Sequence, residues 1–176
     1  MTIKANLFRL NLGCGPHYAP GWVNIDRYRE DEVPDGRRPD LISDILHLPY
    51  DDASCSRIYM GHLIEHLTLT DEVPRALIEI RRVLGGEGSL MVVAPDIKRA
   101  REGWPEMVSA IMPGENDEQH LPGLPHKWAP TERKVLDACL PVFPLAMAVP
   151  IADVGQEWPV VNRVGWQSAI WCQREP

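Results

Sequence analysis

Leu10-Asn11-Leu12-Gly13-Cys14-Gly15-Pro16, followed almost at once by Gly21-Trp22-Val23-Asn24-Ile25-Asp26, decides how the rest of this chain is read. Phe8, Leu10 and Leu12 alternate with Arg9 and Asn11, the period-2 pattern of a strand, and the pattern stops at Gly13-Cys14-Gly15-Pro16. Residues 22–26 predict a second strand with an acidic residue at its C-terminal end. Gly13 and Gly15 lack a Cβ, so the chain can turn sharply there and let a ligand approach its amides. Turns of this kind, at strand ends, are where α/β sheets bind ligands.

Outward from this pair the pattern continues. A third short strand is predicted at Leu41-Ile42-Ser43-Asp44 and a fourth at Arg57-Ile58-Tyr59-Met60, with the turn formers Pro49, Asp51, Asp52 and Ser54 between them. Val73, Ala76, Leu77, Ile80, Val83 and Leu84 recur at helical spacing, with Thr70 or Asp71 as the cap and Gly85-Gly86 as the stop. The apolar run Ser89 to Ala94, ended by Pro95, suits a strand buried on both faces of a parallel sheet. Periodicity is lost from Asp96 to Pro130, a stretch read as a long loop with one short helix and expected to act as a lid or substrate loop. Thr131 is expected to cap a helix burying Val135, Leu136, Cys139 and Leu140, and Ala146–Val154 and Gly165–Arg174 to form the last two strands. The fold class is α/β: a Rossmann-like, mostly parallel sheet with helices on both faces, in one domain over residues 1–176.

At 176 residues and a net charge of −7, the chain is of one-domain size and poorly suited to a phosphate backbone, so nucleic acid is not an expected partner. Cys14, Cys55, Cys139 and Cys172 have no zinc-knuckle spacing, no metal-ligand motif is evident, and isolated thiols suit a reducing cytoplasm. No secretory start is evident. The longest uncharged run, Ala138 to Ala152, falls short of a bilayer span of about 20 residues and contains three prolines, so no membrane role is expected.

Three strand ends carry groups of interest. The Asp26 carboxylate can accept from the vicinal hydroxyls of a ribose. At the third strand end, Asp44 is placed to accept from an adenine amino group, with the Ile45 amide toward a ring nitrogen. On these segments, and on Leu48-Pro49-Tyr50-Asp51-Asp52, Met60-Gly61-His62-Leu63-Ile64-Glu65-His66-Leu67 and Ala76-Leu77-Ile78-Glu79-Ile80-Arg81-Arg82-Val83-Leu84, the chain resembles the class I S-adenosylmethionine-dependent methyltransferases. The likeness covers roughly residues 7 to 96 and is closest to short-form members in which the acidic strand follows the glycine turn directly. It implies S-adenosylmethionine as cofactor, with Leu12, Gly13, Cys14 and Gly15 bordering its methionine part. Asp26 would hold the ribose, Asp44 and Ile45 would face the adenine, and His62 and Leu63 would lie at the sulfonium end. Glu65 and His66 match a pair common in the family. Only Pro16 to Gly21 stand where longer members place a first crossover helix, so that helix is expected to be lost or reduced to a turn.

A sulfonium methyl is already activated, so alignment and exclusion of water suffice, without a metal or a covalent intermediate. An oxygen nucleophile gains from a base, for which His17, His62, His120 and His126 are candidates. His62 is favoured by position, and His126 because His126-Lys127-Trp128 closes the expected lid. Trp104 and Trp128 are candidates for stacking on an acceptor, and Lys98, Arg99 and Arg101 for holding its phosphate or carboxylate. The expected acceptor is a sugar hydroxyl or small metabolite. The alternatives are a non-catalytic cofactor-binding module or partner subunit, and a nicotinamide-dependent oxidoreductase. The last is disfavoured because Tyr18 stands where its fingerprint needs glycine or alanine, and because Asp26 comes too early.

Overall fold

A computed structural model describes residues 7–27, 39–108, 126–160 and 163–175. Its strands are β1 (Phe8–Leu12), β2 (Val23–Asp26), β3 (Leu41–Ile42), β4 (Cys55–Gly61), β5 (Leu84–Pro95), β6 (Met147–Val149) and β7 (Gln167–Gln173). Among the described residues the α-helices are α1 (Glu72–Val83), α2 (Ile97–Gly103) and α3 (Glu132–Cys139). The strands form one seven-stranded sheet in the order β3-β2-β1-β4-β5-β7-β6. The first five are mutually parallel, while β7 runs antiparallel to both β5 and β6.

Side-chain alternation divides the core between the two faces of the sheet. Leu10, Leu12, Ile58, Met60, Leu90, Val92 and Ile170 pack with the apolar stripe of α1 (Val73, Ala76, Leu77, Ile80, Val83) and with Val135 and Cys139 of α3. The intervening residues Tyr59, Met91, Val93 and Ala169 face the other way, against Trp22, Val154 and Trp158 and a 3-10 turn at Ile151–Asp153. Among the described residues, no helix is long and apolar enough to cross a membrane.

Several boundaries differ from expectation for local reasons. The third strand ends after Ile42, because the Asp44 carboxylate accepts the Leu46 amide at 2.9 Å and its carbonyl accepts the His47 amide at 3.0 Å, which turns the chain out of the sheet. Neither Thr70 nor Asp71 caps α1 with its side chain. Thr68 does so, its Oγ1 accepting the Glu72 amide at 3.1 Å while the Glu72 carboxylate takes the Thr68 amide at 2.7 Å. Gly85-Gly86 are not a helix stop but part of β5, where the register slips between the Cys55–Leu84 and Arg57–Ser89 pairs. A Cβ on Gly88 would stand 3.0 Å from the Gly85 carbonyl oxygen and 3.2 Å from that of Cys55, so the slip requires glycine. Pro150 ends β6 well before Val154.

Between β1 and β2 there is no helix, as the short Pro16–Gly21 connection predicted. The Asn24 side chain supplies the order that a helix would otherwise give. Its Oδ1 accepts from Asn11 Nδ2 (2.9 Å) and the Ala19 amide (2.7 Å), and its Nδ2 donates to the carbonyls of Ala19 and Trp22 and to Asp40. Of the stretch expected to be a lid, 109–125 lie outside the described residues, and His120 with them. Its two described ends are anchored. Asp96 caps α2 through the Lys98 and Arg99 amides and also accepts the Glu132 amide at 2.7 Å, while Ile97 N donates to the Pro130 carbonyl.

Candidate functional site

A cavity of about 410 Å³ opens at the C-terminal ends of β1, β2 and β4 and over the turn after β3. Eight of the nine residues singled out for cofactor binding line it: Gly13, Cys14, Gly15, Asp26, Asp44, Ile45, His62 and Leu63. The ninth, Leu12, is fully buried in β1 beneath the turn.

The turn itself is made by Gly13 and Gly15, whose φ angles of 63° and 46° lie in the left-handed region that favours glycine. A Cβ on Gly13 would come within 2.8 Å of the Leu63 side chain, so the bare Cα is also what lets the loop after β4 close on the turn. The amides of this turn are not bare donors, as the sequence suggested. Those of Gly13 and Cys14 donate to the Ile25 carbonyl at 2.8 and 3.2 Å, and that of Gly15 donates to Asp26 Oδ2 at 2.8 Å. What the turn offers is close approach, together with a fixed carboxylate. Asp26 is 8% exposed, held at both oxygens by the Gly15 and Arg27 amides. These two contacts aim the carboxylate toward the mouth of the turn. Burial, reinforced by Asp26, raises the neighbouring Cys14 thiol to about 12, so it is a neutral wall and not a nucleophile.

On the opposite wall, His62 adopts a φ of 52°, unusual for a residue with a Cβ, and its amide donates to the Val93 carbonyl. Its side chain is 38% exposed. Gln167 Nε2 lies 2.6 Å from His62 Nε2 and donates to it, which leaves the proton on Nδ1, 3.6 Å from Glu65 Oε1. Behind His62 sit Glu65, His66 and His126. Glu65 is fully buried, yet its carboxyl is held below the usual range: burial would raise it, and the nearby His62 and His66 outweigh that effect. His126 Nε2 is 3.9 Å from Glu65 Oε1, and its ring meets the His66 ring edge-on at 4.8 Å. Of the histidine candidates, His17 and His62 line the cavity and His126 is buried one layer behind; His66, not among those candidates, lines the cavity too.

Other candidates fall elsewhere. Trp128 is buried and donates to the Leu67 and Ile64 carbonyls, a packing role; with the Lys127 amide bonded to the Glu65 carbonyl, it pins this segment under the site. Arg99 is paired with Glu132 at 2.5 Å. Glu72 was missed by sequence reasoning but lines the cavity, where it meets Lys127 Nζ at 2.6 Å. The run around Glu79 and Arg82 is structural. Arg82 joins Glu79 and Asp52 and the carbonyls of Leu48 and Tyr50, fastening the loop before β4 to α1.

Residues 10–92 match the family model described as a methyltransferase domain. No curated protein matches the chain. Among solved structures, a methyltransferase of Thermotoga maritima, named as a possible histamine N-methyltransferase, is 16% identical with a TM-score of 0.61, over 96% of this chain and 82% of that one. An S-adenosylmethionine-dependent methyltransferase of Archaeoglobus fulgidus is 11% identical with a TM-score of 0.59, over 96% and 87%. A candidate O-methyltransferase of Nostoc punctiforme is 14% identical with a TM-score of 0.60; 98% of this chain aligns, but it spans only 53% of the Nostoc protein. At such identities the structural likeness is one of fold.

Proposed function

We propose that this chain, whose residues 10–92 match a methyltransferase-domain model, is a class I S-adenosylmethionine-dependent methyltransferase that binds S-adenosylmethionine in the cavity beside Gly13 and Asp26 and transfers the methyl group to a hydroxyl of a sugar or small metabolite. The observation that carries this reading is the Asp26 carboxylate, fixed by the Gly15 amide at the mouth of a left-handed glycine turn. That pairing suits a ribose diol next to a close-packed chain, and a cavity of about 410 Å³ falls within the usual range of roughly 300–1,000 Å³ for small-molecule sites.

When bound, the cofactor supplies a methyl already activated on sulfonium. The residues of the chain bind and orient. Asp26 holds the ribose, Asp44 and Ile45 border the adenine, and the turn from Leu12 to Gly15 borders the methionine part, which approaches the bare Cα atoms of Gly13 and Gly15. Leu63 and Cys14 give an apolar wall that excludes water. His62 is the proposed proton acceptor: its Nε2 lone pair faces the Gln167 amide, and an arriving hydroxyl takes the place of that amide. His126 acts at second hand, as part of the buried group that orients His62 through Glu65.

A second reading, a binding module without turnover, is favoured by the missing first crossover helix. Incubation with labelled S-adenosylmethionine and a panel of sugar and small-metabolite acceptors separates the two. Label transfer that falls in Asp26→Asn supports the enzyme, whereas binding with no transfer to any acceptor supports the module.

A further inference from the structure

The group behind His62 does more than orient it. Glu65 is wholly buried, and among the described residues neither of its carboxylate oxygens has a hydrogen-bond donor. A buried, ionised carboxylate without a donor requires a compensating positive charge. The contacts around it are imidazoles just beyond hydrogen-bond reach: His62 Nδ1 at 3.6 Å and His126 Nε2 at 3.9 Å. One ligand atom each from Glu65, His66 and His126 lie within 4.8 Å of one another.

We propose that Glu65, His66 and His126 bind a divalent first-row transition cation of the zinc class. Two imidazoles and one carboxylate are a borderline-soft donor set, suited to zinc, iron or cobalt and ill suited to magnesium or calcium, which prefer all-oxygen shells. Bonds of about 2.0–2.2 Å in tetrahedral geometry place ligand atoms roughly 3.3–3.5 Å apart. With the ligand atoms within 4.8 Å of one another, a bound cation draws them together by about an ångström. Three protein ligands leave one position open, and since His66 is part of the cavity wall, the open side adjoins the cavity, where an oxygen of water or of an acceptor hydroxyl completes the shell. The site draws on Glu65 and His66 from the turn after β4 and on His126 from the segment before α3, so it also cross-links the two ends of the pocket floor. Cation binding here does not depend on methyl transfer, and the proposal stands or falls separately from it.

The test uses the full chain, stripped with EDTA and titrated by calorimetry with ZnCl₂ and, in parallel, MgCl₂. The expected result is one zinc per chain and at least about a hundredfold weaker magnesium binding. Glu65→Gln and His126→Ala should each weaken zinc about tenfold or more, while His47→Ala, at an exposed position, should leave it unchanged. With CoCl₂ the wild-type chain should show the intense visible bands of four- or five-coordinate cobalt. No zinc uptake, equal uptake of magnesium, or zinc binding unaltered in both site variants would overturn the proposal. Should the variants fail to fold, the cobalt spectrum decides: weak, octahedral-type bands overturn it.

Discussion

The Asp26 carboxylate accepts the Gly15 amide at 2.8 Å, tying the end of β2 to the turn that ends β1. This one bond joins the two features on which the proposed cofactor recognition rests: the left-handed glycine turn and the acidic strand end. Asp26→Asn keeps an oxygen for the Gly15 amide but loses the charge and accepting capacity offered to a ribose. Binding of S-adenosylhomocysteine is expected to weaken at least tenfold, about 1.4 kcal/mol, and the melting temperature to fall modestly, because the new NH2 faces the Arg27 amide that the carboxylate accepted. Titration calorimetry alongside thermal melts checks both halves; unchanged affinity would remove Asp26 from the site.

Gly13→Ala combines two penalties. Its φ of 63° strains any residue with a Cβ, and the new methyl meets the Leu63 side chain at 2.8 Å. The expected loss is about 1–3 kcal/mol of stability together with cofactor binding. In the Leu63→Ala background the contact disappears while the backbone strain remains, so Gly13→Ala should cost less there. Urea unfolding of the four chains measures the difference, and equal costs would show that Leu63 does not pack on the turn.

Asn24 has no exposure and replaces an entire crossover helix with its side-chain hydrogen bonds. Asn24→Ala strands the Ala19 amide, at about 1–3 kcal/mol for a buried group left without a partner, and takes from Asn11 Nδ2 one of its two acceptors, the other being the His17 carbonyl. Asn24→Asp should cost more, because its carboxylate would face Asp40. A urea midpoint indistinguishable from wild type would contradict the claim that this amide organises the connection.

Glu72 is held at about 2 by the Lys127 ammonium 2.6 Å away, with help from the Thr68 amide and hydroxyl. Its folded value lies below the ordinary value near 4.5, so the stabilisation is fully present above that pH and is lost as pH falls towards 2. The stability difference between wild type and Glu72→Gln should therefore be constant from pH 7 to about pH 5 and close progressively below it. Urea unfolding across this range checks the sign. A difference that grows on acidification would show that the Lys127 pair does not set the Glu72 carboxyl.

Much of this was legible in the sequence because local physics decided it. The alternation in Phe8–Leu12, the stripe from Val73 to Val83 and the apolar run before Pro95 each specify one element, and Gly13, Gly15 and Asp26 sit where strand ends must meet. Elements set by side-chain detail were harder to read. Thr68 rather than Thr70 caps α1 because the Glu72 carboxylate reaches back to it, and β5 starts at Leu84 because a register slip absorbs two glycines. The cluster of Glu65, His66 and His126 escapes any motif, since His126 comes from a segment about sixty residues on, which the Lys127–Glu65 and Trp128–Leu67 hydrogen bonds dock beside the other two. Gln167, which fixes the His62 proton, comes from the last strand, whose position beside β5 no nearby residue dictates.

The central claim is that this cavity grips an adenosyl sulfonium. Its most direct test is calorimetric titration of the folded chain with S-adenosylmethionine and S-adenosylhomocysteine, paired with a thermal melt. The account predicts one site per chain for both, and a stabilisation of about 2.7 kcal/mol at a hundred times the dissociation constant. Neither heat nor any rise in melting temperature with either nucleoside at millimolar concentration would contradict it.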